Sequence, residues 1–219
     1  MRFLLRYKKK VFITIIILLL TVFAFYYIYN NSVNHDALMI KEKYESLNGE
    51  YQTIKIDSNA KIKNISENDA VNTIKNSSGV IFIGYNKCAE CRKTLDILLE
   101  VLDDNDMELL YLDGENLRDE FIVKSGKLKK IMSASKSYYK LLDLLDNHLD
   151  NYIIEDETGK QFDTKEKRIE FPAVIFVSNG NIVGVYTSSV KEDDKKLYNK
   201  FEKNLEQMDG ELCSKETNC

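Results

Sequence analysis

The stretch Val80–Leu112 leaves this 219-residue chain little choice of architecture. Val80–Ile83 (VIFI) is a continuous apolar run after Ser77-Ser78-Gly79, the pattern of a strand buried on both faces. From Cys91 onward, Leu95, Leu98, Leu99 and Leu102 recur at helical spacing, so an amphipathic helix begins near the cysteines. Asp103–Asp106 ends it as a solvated acidic terminus, and Leu109–Leu112 (LLYL) reads as a second strand. Strand, helix and strand in so short a space predict a βαβ unit and parallel pairing.

Around that unit the chain predicts an α/β domain. Alternation in Tyr51–Ile56 (YQTIKI) suggests a half-buried first strand, and Ser66 with Asp69 forms a capping-box signature ahead of Ala70, Val71 and Ile74. Ala173–Val177 and Ile182–Tyr186 are strands joined through Asn179-Gly180, a strong antiparallel hairpin signal. Leu197, Tyr198, Phe201 and Leu205 line a last helix. Between these blocks, residues 116–170 read as an insert that is mostly helical and then irregular. Its strongest element is the helix marked by Tyr138, Leu141, Leu142, Leu145 and Leu149, with an Asp156–Gly159 turn beyond. The expected order is β-α-β-α-β, helical insert, β-β-α: a mixed sheet covered by helices on both faces. The domain is expected over residues 49–209, with a cysteine-containing tail at 210–219.

Composition narrows the class. A chain 44% hydrophobic and 30% charged is globular rather than disordered, and a formal charge of −4 disfavours a nucleic-acid partner. No cofactor is implied by any motif. The two histidines, His35 and His148, lack metal-type spacing, so no metal site is expected.

The N-terminus bears on location. Val11–Ile28 is eighteen uncharged, almost wholly apolar positions, about 27 Å as a helix, close to a bilayer core. Arg2, Arg6, Lys8, Lys9 and Lys10 precede it, whereas only Lys41 and Lys43 occur between Tyr29 and Lys43. The positive-inside rule then makes 1–10 a cytoplasmic segment, 11–29 a single-pass transmembrane anchor and 30–48 a stalk, with the domain outside the cell. A cleaved signal peptide and a buried core helix are the competing readings of the run, and a first helix of the domain competes with the stalk. Export places the four cysteines where disulfides form and persist.

The chemistry-bearing motif is Cys88-Ala89-Glu90-Cys91, a C-x-x-C between the buried strand and the helix. A sulfur at a helix N-terminus is favoured as thiolate by unpaired N–H groups and the dipole, and thiolate is the attacking species in disulfide exchange. Lys87 supports that and Glu90 opposes it. A structural disulfide and half of a zinc site remain open as alternatives. Cys213 and Cys219 enclose a short polar loop after the last helix. They read either as a disulfide sealing the tail or as a second dithiol serving Cys88 and Cys91.

The strand–CxxC–helix block Val80–Leu102, the late Phe171-Pro172-Ala173 before a strand and the Asn-Gly hairpin together resemble the thioredoxin fold. With the N-terminal run and the insert before the proline, residues 50–208 are most similar to extracytoplasmic, membrane-anchored thioredoxin-like proteins of Gram-positive bacteria. One subgroup of these is known as bacteriocin-accessory disulfide isomerases. The resemblance implies that Cys88 is the nucleophile and Cys91 the resolving thiol. It also implies a cis Phe171–Pro172 bond facing them, where the backbone holds an extended substrate strand and Phe171 adds an apolar wall. The chain departs from thioredoxin at Lys87, at Ala89-Glu90 and at Phe82, which stands where thioredoxins keep a buried acid. Pro172 is the single proline of the chain, and it falls directly before a core strand.

The expected function is therefore a membrane-anchored thiol–disulfide oxidoreductase acting on exported proteins or peptides, served by a membrane electron donor or oxidant. A non-catalytic module using the same groove to bind an exported peptide or transporter is the alternative.

Overall fold

The computed structural model describes residues 14–24, 34–187 and 193–215. Residues 14–24 are helical (α1), and the large apolar side chains from Ile15 to Phe23 are exposed. No helix among the described residues is long and apolar enough to cross a membrane. The rest of the anticipated 11–29 span lies outside the described residues, as does segment 1–10, expected in the cytoplasm.

The domain is α/β, a mixed sheet flanked by helices. After α2 (His35–Glu45) come β1 (Ile62–Asn64), α3 (Glu67–Asn76), β2 (Gly79–Gly84), α4 (Ala89–Asp104) and β3 (Leu109–Asp113). The insert holds β4 (Glu120–Lys124), β5 (Lys127–Met132), α5 (Lys136–Leu145), a 3₁₀ turn (Asp146–His148), β6 (Asn151–Glu155) and β7 (Gln161–Lys167). β8 (Ala173–Ser178), β9 (Asn181–Thr187) and α6 (Asp194–Lys215) complete the chain.

The five-stranded sheet runs β1-β3-β2-β8-β9. The βαβ reading holds: β2 pairs β3 in parallel, Val80 beside Leu109 and Ile83 beside Leu112. β8 lies antiparallel on the other side of β2, with Ile83 opposite Ala173. Pleating sends Phe82, Tyr111 and Phe176 to the face covered by α2, α4 and α6, where the Phe82 and Tyr111 rings stack at 5.8 Å and Phe176 meets Phe201 at 5.8 Å. Ile81, Ile83 and Ile175 point to the face covered by α3, on which α5 is stacked. The Ser66–Asp69 capping box starts α3 as anticipated.

Three expectations are corrected. Residues 34–45 are not a stalk. Asn34 caps α2 through its side-chain oxygen, and Ala37, Ile40 and Tyr44 bury into the core. The apolar stripe is only three residues wide in a charged helix, which is why it reads as a polar tether. Tyr51–Ile56 is no sheet strand, because side chains take its backbone groups: Asn48 bonds both N–H and C=O of Ile54, and Glu45 accepts from Ile56 N–H. The first strand is Ile62–Asn64 instead. The insert is not mainly helical, since α5 and the 3₁₀ turn are flanked by two antiparallel hairpins, β4–β5 and β6–β7. Ser125-Gly126, both at positive φ, makes the turn between β4 and β5.

The β8–β9 turn is as anticipated, with Asn179 and Gly180 at φ 50° and 77°. It docks on the α3–β2 corner, where Gly180 N–H donates to Ser77 O at 2.9 Å. A Cβ at Gly180 would lie 2.6 Å from the Lys75 carbonyl oxygen. Gly180→Ala is expected to lower unfolding stability by about 2 kcal/mol or more, read as a shifted urea midpoint at unchanged slope.

The base of the insert is tied at Asp119, whose Oδ1 accepts from Ala134 N–H at 2.8 Å and Tyr139 OH at 2.7 Å, with Lys130 Nζ at 3.4 Å. Burial opposes ionisation, but these donors outweigh it and hold the carboxyl below the usual carboxylate range. A depressed native pKa stabilises in full above the unfolded value of about 4 and is lost as pH falls through the native one. The Ala134 amide resonance is therefore expected to shift only below about pH 4 in an NMR titration, and Asp119→Asn to abolish that step.

Candidate active site

Chain reversal at the carboxyl end of β2 creates the site. Tyr85–Lys87 turn outward, Cys88 N–H donates to Tyr85 O at 3.3 Å, and Cys88 becomes the N-cap of α4. Its Sγ accepts from Cys91 N–H at 3.1 Å, the position that a serine or aspartate oxygen occupies in an ordinary cap. Cys88 and Cys91 form a disulfide, with Cα atoms 5.1 Å apart. The two sulfurs differ in access: Cys91 is fully buried, whereas Cys88 is half-buried and packs only partly on the core. Gly84 makes room behind Cys91, since a Cβ there would lie 3.1 Å from Cys91 Sγ and 2.7 Å from the Phe82 ring.

Behind the cysteines the polar groups are phenols rather than a carboxylate. Tyr111 OH donates to Gly84 O at 3.2 Å, and the Tyr44 hydroxyl lies 3.3 Å from it. Burial pushes both phenols far above their ordinary value, so they stay protonated. In front, Lys87 faces Glu115 at 3.7 Å, while Glu90 is exposed on the first turn of α4.

Arg92, directly after Cys91, is fully buried. Its guanidinium donates to Tyr44 O (2.9 Å), Asn86 O (3.1 Å), Asn48 Oδ1 (2.6 Å) and Gln52 O, and lies 5.7 Å from the Tyr44 ring centroid. No carboxylate pairs with it among the described residues. The last-turn carbonyl of α2 supplies part of the negative charge instead. Burial lowers its pKa from the ordinary arginine value, which is high enough that the cation persists.

The Phe171–Pro172 bond is cis. The register of Ile83 against Ala173 brings it to the same end of the sheet as the loop bearing Cys88. Phe171 is 8% exposed, with its ring edge-on to Tyr85 at 6.1 Å and under the Arg118 guanidinium at 3.9 Å. The open apolar wall anticipated at Phe171 is thus covered by Arg118, whose Nη1 also donates to Ile169 O at 3.1 Å. Cys213 lies in α6 and Cys219 lies outside the described residues, so their expected pairing does too.

Sequence reasoning brought Cys88, Cys91, Phe171 and Pro172 to one end of the sheet, and missed Arg92, Tyr44, Tyr111 and Arg118. Arg92 had a signal: it falls on the apolar stripe of α4, three residues before Leu95 and six before Leu98. Compared with models of known protein families the chain matches none, and compared with curated proteins it shows no significant match.

Removing the buried Arg92 guanidinium takes a donor from four acceptors, of which Asn48 Oδ1 keeps Ile54 N–H and Tyr44 O keeps Leu47 N–H. Arg92→Met is expected to cost about 3 kcal/mol of unfolding free energy in urea denaturation. Arg92→Lys is expected to recover little of it, because an ammonium offers three donors in another geometry.

Proposed function

We propose that this protein is a thiol–disulfide oxidoreductase of thioredoxin-like fold, acting on exported proteins or peptides. The observation that carries the reading is the asymmetric Cys88–Cys91 disulfide: one sulfur reachable from solvent at a helix N-cap, its partner buried three residues on. The sheet order β1-β3-β2-β8-β9 and the cis peptide at Phe171–Pro172 support the thioredoxin-like assignment.

In the reducing direction the Cys88 thiolate attacks one sulfur of a substrate disulfide and expels the other as a thiolate, which takes a proton. Cys91, deprotonated, then attacks Cys88 Sγ, closes the protein disulfide and releases the second substrate thiol. In the oxidising direction a substrate thiolate attacks Cys88 Sγ of the protein disulfide and expels Cys91 as a thiolate. A second substrate thiolate then resolves the mixed disulfide. The dithiol is regenerated by a membrane electron donor, or the disulfide by an oxidant, and their poise sets the net direction. Residues 11–29 serve as the anchor, with 1–10 in the cytoplasm and the domain outside. Asn34 Nδ2 donates to Ala60 O and Ile62 O at the start of β1, the end of the sheet opposite Cys88.

The test is capture. Cys91→Ser, reduced and mixed with a disulfide-containing peptide, is expected to accumulate a mixed disulfide on Cys88 that mass spectrometry locates. Cys88→Ser is expected to form none and to lose peptide exchange. A Cys91→Ser protein that binds the peptide without a covalent adduct would support the non-catalytic module instead.

A further inference from the structure

The first hairpin of the insert has two unlike faces. In the β4–β5 register Ile122 lies opposite Lys129 and Lys124 opposite Lys127, so Ile122, Lys124, Lys127, Lys129 and Ile131 share one side. The other side carries half-buried Phe121, Val123, Leu128 and Lys130. That side is held down, with the Phe121 ring against Tyr152 at 6.0 Å and Lys130 paired with Glu166 at 2.7 Å and Asp119 at 3.4 Å. The first side is wet. Ile122 is 39% and Ile131 52% exposed, and Lys124, Lys127 and Lys129 pair with no carboxylate among the described residues.

Lysines on a sheet edge are an ordinary guard against edge-to-edge association. That guard does not account for two isoleucines left in water beside them, nor for Lys124 and Lys127 placed directly opposite one another, where like charges repel. The exposed positions of the two strands carry three lysines, Lys124, Lys127 and Lys129, against one carboxylate, Glu120, in a chain whose net charge is −4. The surface is complementary to something acidic that also has apolar side chains.

Its placement identifies the occupant. The insert leaves the sheet after Asp113, where Gly114 N–H donates to Gly84 O at 2.9 Å, and it returns at Phe171–Pro172. Arg118, two residues before β4, is the residue stacked on Phe171. The hairpin is therefore rooted at the end of the sheet that carries Cys88, while Asn34 joins β1 at the other end. A polypeptide engaged at Cys88 is on the same side as that root.

We propose that the face formed by Ile122, Lys124, Lys127, Lys129 and Ile131 docks an acidic, apolar-containing segment of the polypeptide whose disulfide meets Cys88. The proposal rests on the thiol-exchange reading for its substrate, and its test separates docking from chemistry.

Two pairs of labelled peptides serve as probes, each pair with alternating Glu-Leu or alternating Gln-Leu beside the reactive segment. One pair keeps the disulfide and the other has both cysteines replaced by serine. With full-length protein, fluorescence anisotropy of the serine peptides is expected to show the Glu-Leu peptide binding about tenfold more tightly than the Gln-Leu peptide, with the advantage shrinking as salt rises. The triple variant Lys124→Glu, Lys127→Glu, Lys129→Glu is expected to lose that advantage, and Ile122→Ser with Ile131→Ser to weaken the Glu-Leu complex several-fold. Equal binding of the two peptides, or an advantage that survives the triple variant, overturns the proposal. So does lysine-dependent binding of vesicles with an anionic lipid fraction in place of the peptide. The disulfide peptides report the chemistry separately: failure of the wild type to exchange either one defeats the thiol-exchange reading, whatever the anisotropy shows.

Discussion

The guanidinium of Arg92 is the group on which the site depends. It donates to four points of the chain at once: the end of α2 at Tyr44, Asn48, the segment at Gln52 and the loop at Asn86. A buried cation is tolerated only when its donors are satisfied, because desolvation alone costs several kcal/mol. Each of those oxygens must therefore be held in place whenever the domain is folded. Asn86 is held a second time, its Nδ2 donating to Lys43 O at 2.8 Å. Cys88 follows Asn86 by two residues, so the constraint that satisfies the arginine also sets where the outer sulfur stands. The same charge, fixed one residue from Cys91, gives the site a positive background without a surface salt bridge.

The difference between the two sulfurs follows from that placement. The N-cap position sets Cys91 N–H against Cys88 Sγ while the core closes over Cys91, so a single chemical motif yields two sulfurs with different access. The uncharged Tyr44–Tyr111 pair and the Phe82 ring stacked on Tyr111 lie behind them. Among the described residues, neutral phenols and the Gly84 carbonyl, rather than a carboxylate, lie behind the cysteines. The insert adds a second layer: Arg118 covers Phe171 and a tethered hairpin rises from the same base.

Much of this was legible in the sequence, and the boundary of legibility is physical. The βαβ unit announced itself because VIFI and LLYL are buried on both faces and α4 has a broad apolar stripe. Asn179-Gly180 specified its own turn, since both residues accept positive φ. The single proline was also informative, standing before β8 in a cis peptide. What escaped has long-range causes. Helix α2 buries only three side chains among charges, and the segment after it exchanges strand partners for Asn48 and Glu45 side chains. Neither arrangement leaves a local period. The insert hairpins alternate over short strands whose exposed positions include isoleucine, which blurs the period-two pattern. Arg92 was visible as a charge on an apolar stripe, but its acceptors are as far as forty-eight positions away in sequence.

The central claim is that one sulfur is an activated, reachable thiolate and the other a sheltered partner. Competitive alkylation of the reduced full-length protein across pH, with each cysteine located by mass spectrometry, tests it directly. The account predicts that Cys88 is modified first, with a midpoint below the ordinary thiol value of about 8.5, while Cys91 stays protected until the domain unfolds. Equal modification of Cys88 and Cys91 in the folded protein, or a Cys88 midpoint at or above that value, would contradict it.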